Sequence, residues 1–148
     1  MTIGQKIAQQ IIDCFKRGNK LIVCGNGGHA TQSQHFVAEL VGKFEKYRQA
    51  LPAMALTTDA SIMTGIGNDW SFDYVFARQI EALGKKGDIL ITLSTSGRSP
   101  NLMLAQYTAK EMGLDVIEFP RKGKTTAKIQ EWQLKMIHDV CRIVEKAF

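Results

Sequence analysis

LIVCGNGGHATQSQHFVAEL, residues 21 to 40, decides the fold. Leu21-Ile22-Val23-Cys24 is a short apolar run of the length and composition of a buried strand. Gly25-Asn26-Gly27-Gly28 breaks it with residues that tolerate tight turns and positive φ. From Thr31 the pattern becomes helical, with Phe36, Val37 and Leu40 on one stripe. A strand, a glycine turn and a helix start place free backbone N–H groups and a helix dipole at one point, which is an anion site. His35 and Glu39 are four apart and share a helix face. The stretch therefore predicts a phosphate cradle at Gly27 and Gly28 beside an imidazole and a carboxylate.

The same alternation continues on both sides. Ile3, Ile7, Ile11, Ile12 and Phe15 predict an amphipathic helix over 2–17, stopped by Gly18-Asn19. Pro52 to Leu56 reads as a second strand and Ser61 to Ile66 as a short helix closed by Gly67-Asn68-Asp69. Phe72, Val75, Phe76, Ile80 and Leu83 predict one helix ending at Gly84. Asp88 to Leu93 is the clearest buried strand, and it runs into Ser94-Thr95-Ser96-Gly97-Arg98-Ser99. Pro100 suits the first turn of a helix that reaches Gly113. Val116 to Phe119 is a fourth strand, and Ile129 to Val144 keeps a three-four rhythm through the longest helix. Strands alternating with helices predict one α/β domain over 1–148, a parallel sheet covered on both faces. Ligands of such sheets bind at the carboxyl ends of strands, where both glycine-bearing turns fall.

The totals narrow the function classes. The chain has 148 residues and a formal charge of +5, with 19 Lys and Arg against 14 Asp and Glu. That balance mildly favours anionic ligands. The basic residues are scattered, with no aromatic-basic stripe, so direct nucleic-acid binding is not expected. Cys14, Cys24 and Cys141 form no CxxC pair and sit in apolar periodic segments, as buried reduced thiols do. No signal pattern opens the chain and no apolar run is long enough to span a membrane, so the expected location is the cytoplasm.

Two groups of residues carry chemistry. The Ser94–Ser99 loop offers four hydroxyls, more than one helix cap needs, and reads as a phosphate loop rather than a cap alone. His35 and Glu39 taken alone are polar residues on a half-exposed helix. Gln130 and His138, eight apart on the last helix, change that reading. Two imidazoles, a carboxylate and an amide oxygen make a four-ligand site for a divalent ion, with zinc the natural candidate.

Together, CGNGG followed by HFxxEL, then GNDWSF, TLSTSGRS and KIQEWQLKMIH, resemble the sugar-isomerase (SIS) domain family. Within it the likeness is to the bacterial sedoheptulose 7-phosphate isomerases of heptose biosynthesis for lipopolysaccharide or surface glycans. The resemblance covers nearly the whole chain. It implies a three-layer αβα sandwich with a flavodoxin-like parallel sheet, assembled as a homotetramer with sites between subunits. It also implies one zinc ion per subunit at His35, Glu39, Gln130 and His138, and sugar-phosphate contacts from Asn26, Ser94, Thr95, Ser96 and Ser99, with Gln130 and Asp69 near substrate. The reaction it implies converts D-sedoheptulose 7-phosphate to D-glycero-D-manno-heptose 7-phosphate through an enediol, with Glu39 as base and His138 as acid.

Two departures from the family pattern stand out. His29 replaces the usual serine beside the phosphate, where it can donate to phosphate or crowd it. The segment near Val116 to Pro120 is shortened by about a strand and a helix. The competing readings are a non-catalytic SIS protein that binds a protein partner, of the replication-initiator-associated type, and a sugar-phosphate sensor. The partner-binding type tends to lose the histidine of the last helix, and His138 is present.

Overall fold

The computed structural model describes residues 1–148. Four strands form one parallel sheet: β1 (Leu21–Gly25), β2 (Ala53–Ala55), β3 (Ile89–Leu93) and β4 (Asp115–Glu118), in the order β2-β1-β3-β4. Six helices cover it: α1 (Ile3–Lys16), α2 (Gly28–Val41), α3 (Ala60–Asp69), α4 (Ala77–Leu83), α5 (Pro100–Glu111) and α6 (Thr126–Glu145). The period-2 alternation of the central strands splits the core in two. Leu21, Val23, Ile89 and Ile91 pack with α1, α2 and α6 on one face, while Ile22, Cys24 and Leu90 pack with Val75, Phe76, Ile80, Leu102 and Ala105 on the other. This is the expected three-layer sandwich.

Local differences from the sequence reading have plain causes. Helix α2 starts at Gly28, a turn before Thr31, because Gly27 takes φ 58° and the His29 and Ala30 N–H groups already bond to the carbonyls of Asn26 and Gly27. The single helix predicted from Phe72 is a 3-10 turn, Phe72–Tyr74, and then α4. Ser71 caps the turn, and Val75 and Phe76 are driven fully into the core between the two pieces. Helix α3 runs through Gly67-Asn68 to Asp69 instead of closing before them.

The apolar residues of α1 and α6 are mostly covered within the chain. Ile7, Ile11, Ile137, Val140 and Val144 are all buried. Ile3 of α1 is exposed, and further exposed apolar side chains include Trp70, Phe72, Tyr74, Met103 and Tyr107. No helix is long and apolar enough to cross a membrane.

Strand β4 forms one edge of the sheet, and the chain passes from it to α6 over residues 119–125. Phe119 closes the core there, 1% exposed and edge-on to Phe36 at 6.1 Å. The expected shortening thus leaves a four-stranded sheet whose outer edge is flanked by the exposed charges of Asp115 and Glu118, a composition that discourages strand pairing.

Candidate active site

The β1–α2 turn and the β3–α5 loop meet at the carboxyl ends of the two central strands. A pocket of about 90 Å³ opens between them, lined by Asn26, His29, Leu93, Ser94, Thr95, Ser99 and Leu102. Each wall is fixed by its own bonds. Asn26 and the buried Asn101 exchange both amide hydrogen bonds at 2.9 Å. Ser94 Oγ accepts from the N–H groups of Ser96 at 3.2 Å and Gly97 at 2.8 Å, which folds the loop back on itself. Ser96 is exposed and its Oγ accepts from the Arg98 N–H. Gly25 must lack a side chain, since a Cβ there would stand 2.8 Å from the Leu93 carbonyl oxygen.

His29 is 5% exposed, and its Nε2 lies 2.7 Å from Gln133 Oε1. Gln133 Nε2 donates to the carbonyls of Ser94 and Pro120, so Oε1 must accept and His29 Nε2 must carry the proton. The ring therefore spends one nitrogen on the protein and lines the pocket with the rest. Neither Asn101 nor Gln133 was among the residues singled out in the sequence. Gln133 had a signal: it stands in the buried stripe Gln133, Ile137, Val140, Val144 of an otherwise apolar helix face. Asn101 had none beyond its place just after Pro100.

Two turns along α2 is the second cluster. The ligand atoms of His35, Glu39 and His138 all lie within 4.8 Å of one another. Both imidazole Nε2 atoms are 3.7 Å from Glu39 Oε2 and 3.4 Å from each other. Ligands ~2.0–2.1 Å from a tetrahedral ion stand roughly 3.4 Å apart, so the three donors are already near the edges of such a site. Their chemistry, two imidazoles and one carboxylate, also fits a divalent metal.

The other sequence-predicted residues are placed as follows. Gln130 is not in the three-residue cluster: its amide rests against Gly28, where a Cβ would meet its nitrogen at 2.6 Å. It stands two turns before His138, about 12 Å along α6, at the Gly27–Gly28 end of the site. Gly27 and Gly28 form the exposed start of α2. Asp69 is exposed at the end of α3, accepts a bond from Asn68 Nδ2, and does not line the pocket of its own chain. The cysteines are buried, as expected. Burial pushes the Cys14 thiol up to about 11 and raises Cys24 and Cys141 as well, which keeps all three protonated and inert.

A family model described as SIS domain matches residues 4–119. The chain belongs to the SIS domain family. It is 46% identical over 156 aligned positions to the phosphoheptose isomerase of Campylobacter concisus, covering 95% of this chain and 82% of that protein. It is 42% identical to phosphoheptose isomerase 1 of Campylobacter jejuni, covering 97% and 86%. Among solved structures, the phosphoheptose isomerase of Neisseria gonorrhoeae superposes with a TM-score of 0.90 at 36% identity, covering 97% of this chain and 85% of that one. That of Francisella tularensis gives 0.91 at 32%, with the same coverage. The alignment of 156 positions is longer than the whole 148-residue SIS chain, so the relative carries residues that this one lacks. The family match itself stops at Phe119, where the shortened connection begins.

Proposed function

We propose that this SIS domain is a phosphoheptose isomerase, converting D-sedoheptulose 7-phosphate to D-glycero-D-manno-heptose 7-phosphate in heptose biosynthesis for lipopolysaccharide or surface glycans, in the cytoplasm. The observation that carries the reading is one helix serving both ends of such a substrate. The start of α2 borders the hydroxyl-lined pocket, and its third turn holds Glu39 against His35 and His138.

The pocket has room for a phosphoryl group but not for a seven-carbon sugar. Asn26, His29, Ser94, Thr95 and Ser99 would hold the phosphate, with Ser96 and the backbone of Gly27 and Gly28 at its rim. From His29 to His35 the helix advances about 9 Å. An extended seven-carbon chain with its phosphate ester spans on the order of 10 Å, and the Glu39 carboxylate reaches back to within 3.7 Å of His35 Nε2, so a phosphate in the pocket would bring C1 and C2 beside Glu39. Glu39 takes a proton from C1 and returns it to C2, while His138 moves a proton between the two oxygens, and atoms balance through the enediol. Glu39 Oε2 faces both imidazoles, which leaves Oε1 for the carbon-bound proton. His35, Glu39 and His138 would hold one zinc ion per subunit, its fourth position left to substrate or solvent because Gln130 rests against Gly28, and its chemistry when bound would be to polarise the substrate carbonyl.

Purified protein incubated with sedoheptulose 7-phosphate and zinc is expected to form the aldose. No aldose at saturating ketose would leave the sensor or partner-binding reading instead. The protein is further expected to be a homotetramer. Two observations support this: the exposed apolar side chains of Trp70, Phe72, Tyr74, Met103 and Tyr107, and Asp69 standing clear of its own pocket, as a residue serving a neighbour's site would. Light scattering at micromolar concentration checks it, and a monomer contradicts it.

A further inference from the structure

One dense buried cluster beside the site has no part in the scheme above. Glu145, in the last turn of α6, is 1% exposed, and its carboxylate accepts three consecutive N–H groups, from Phe44 at 3.1 Å, Glu45 at 2.9 Å and Lys46 at 3.2 Å. Arg48, whose side chain is 3% exposed, points Nε at Glu145 Oε1 from 3.5 Å, too poorly placed for a hydrogen bond, so the attraction is coulombic. Its Nη1 donates to the carbonyls of Leu40 at 3.1 Å and Gly42 at 2.6 Å, and its Nη2 to that of Glu39 at 2.5 Å. One buried ion pair thus fixes where the helix carrying Glu39 ends and the path of the loop that leaves it.

That loop carries Phe44, whose ring stacks on His138 with centroids 5.1 Å apart and planes at 26°. The Arg142 guanidinium lies over the Phe44 ring at 5.5 Å and also binds Glu45 at 2.6 Å. His138 needs such support. The χ2 torsion of histidine is broad, so the helix does not set the ring's orientation. Metal-ligating and acid–base histidines are usually oriented by a hydrogen bond on their second nitrogen. The only side-chain bond of His138 runs from Nε2 to His35, and no protein acceptor meets Nδ1.

We propose that Phe44, held in place by Glu145 and Arg48, is a positioning residue for His138, with the stacked ring doing what a hydrogen bond on Nδ1 does elsewhere. The proposal rests on the isomerase reading for its effect on turnover. Its structural part stands without it.

The test compares Phe44→Leu, which keeps apolar volume but loses the flat face, with Phe44→Tyr, which keeps both. In metal-free protein, the His138 ring protons are expected to carry an aromatic ring-current shift in wild type and Phe44→Tyr that Phe44→Leu loses. Cobalt(II), titrated by its visible spectrum, is expected to bind Phe44→Leu about 10–100-fold more weakly, with kcat reduced about tenfold and KM within threefold. Phe44→Tyr is expected to restore all three. Glu145→Gln, with Phe44 untouched, is expected to move the same readouts in the same direction, because the loop loses its anchor. An unshifted His138 ring in wild type overturns the proposal, as does wild-type cobalt affinity in Phe44→Leu, or a Phe44→Tyr that behaves as Phe44→Leu. A shifted ring and tight cobalt binding without turnover sinks the isomerase reading and leaves the positioning role standing.

Discussion

Glu39→Gln is expected to lower kcat by about 10²–10⁴-fold, the range general acid–base catalysis contributes, which corresponds to roughly 2.7–5.4 kcal/mol of barrier. The amide is nearly the shape of the carboxylate, so the packing of α2 is untouched and the melting temperature should hardly move. An amide oxygen can still face the two imidazoles, so metal binding weakens without vanishing. What it cannot do is accept a proton from carbon. The variant should therefore lose exchange of substrate carbon-bound hydrogen with solvent deuterium in step with turnover, while KM stays near wild type. Near-normal turnover would remove Glu39 from the role of base. Proton exchange that survived the loss of net conversion would move the defect to the oxygens, and so to His138.

The parts of the fold legible in the sequence were those where one physical signal acts alone. The central strands are buried on both faces, so they are continuous apolar runs, and β1 and β3 fell where those runs did. Helix α6 announces itself by period. The failures came where a backbone choice overrides the pattern. Gly-His-Ala has no helical stripe, yet Gly27's positive φ starts α2 there. At Phe72 to Leu83 the apolar spacing was right but could not show that the chain would turn at Val75 to bury it.

The candidate site was legible to a similar degree and for a similar reason. Residues that meet through helix spacing, His35 with Glu39 and Gln130 with His138, were visible as pairs, and only the fold shows that His138 joins the first pair while Gln130 rests against Gly28. Residues that act by holding others were not. His29 was read as a phosphate neighbour, but half of its hydrogen bonding belongs to Gln133. Glu145 was not singled out at all, although it organises the loop from Phe44 to Lys46. A polar residue in a buried stripe is the sequence trace of such a role, and only the fold says what it holds.

The last prediction concerns the opposite end of the sheet. Asp88, just before β3, is 1% exposed and accepts four hydrogen bonds: from the N–H groups of Lys20 and Lys85 at 3.1 and 2.8 Å, Asn19 Nδ2 at 2.9 Å and Lys20 Nζ at 2.7 Å. It ties the starts of β1 and β3 together. Burial alone would push its carboxyl up, but the bonds from Lys20, Asn19 and the two backbone groups outweigh burial and hold it below its ordinary value of 3.8. Glu145 follows the same logic: burial opposes ionisation, and the N–H groups of Glu45, Phe44 and Lys46 with Arg48 hold it below 4.5. A carboxyl depressed in the folded state stabilises the fold fully above its unfolded value and loses that contribution as pH falls through the folded one. The melting temperature should therefore be flat with respect to these groups above about pH 5 and fall steadily below about pH 4. Asp88→Ala strands two backbone donors, which costs about 3 kcal/mol and lowers the melting temperature by about 10 °C at neutral pH. Asp88→Asn keeps one acceptor and loses the charge, so it should lie between the two and show a shallower acid slope than wild type. Because Asp88 stands at the end of the sheet remote from the pocket, KM at 20 °C should be unchanged in both variants. A wild-type acid slope in Asp88→Asn would show that other carboxylates set the acid limit of this fold.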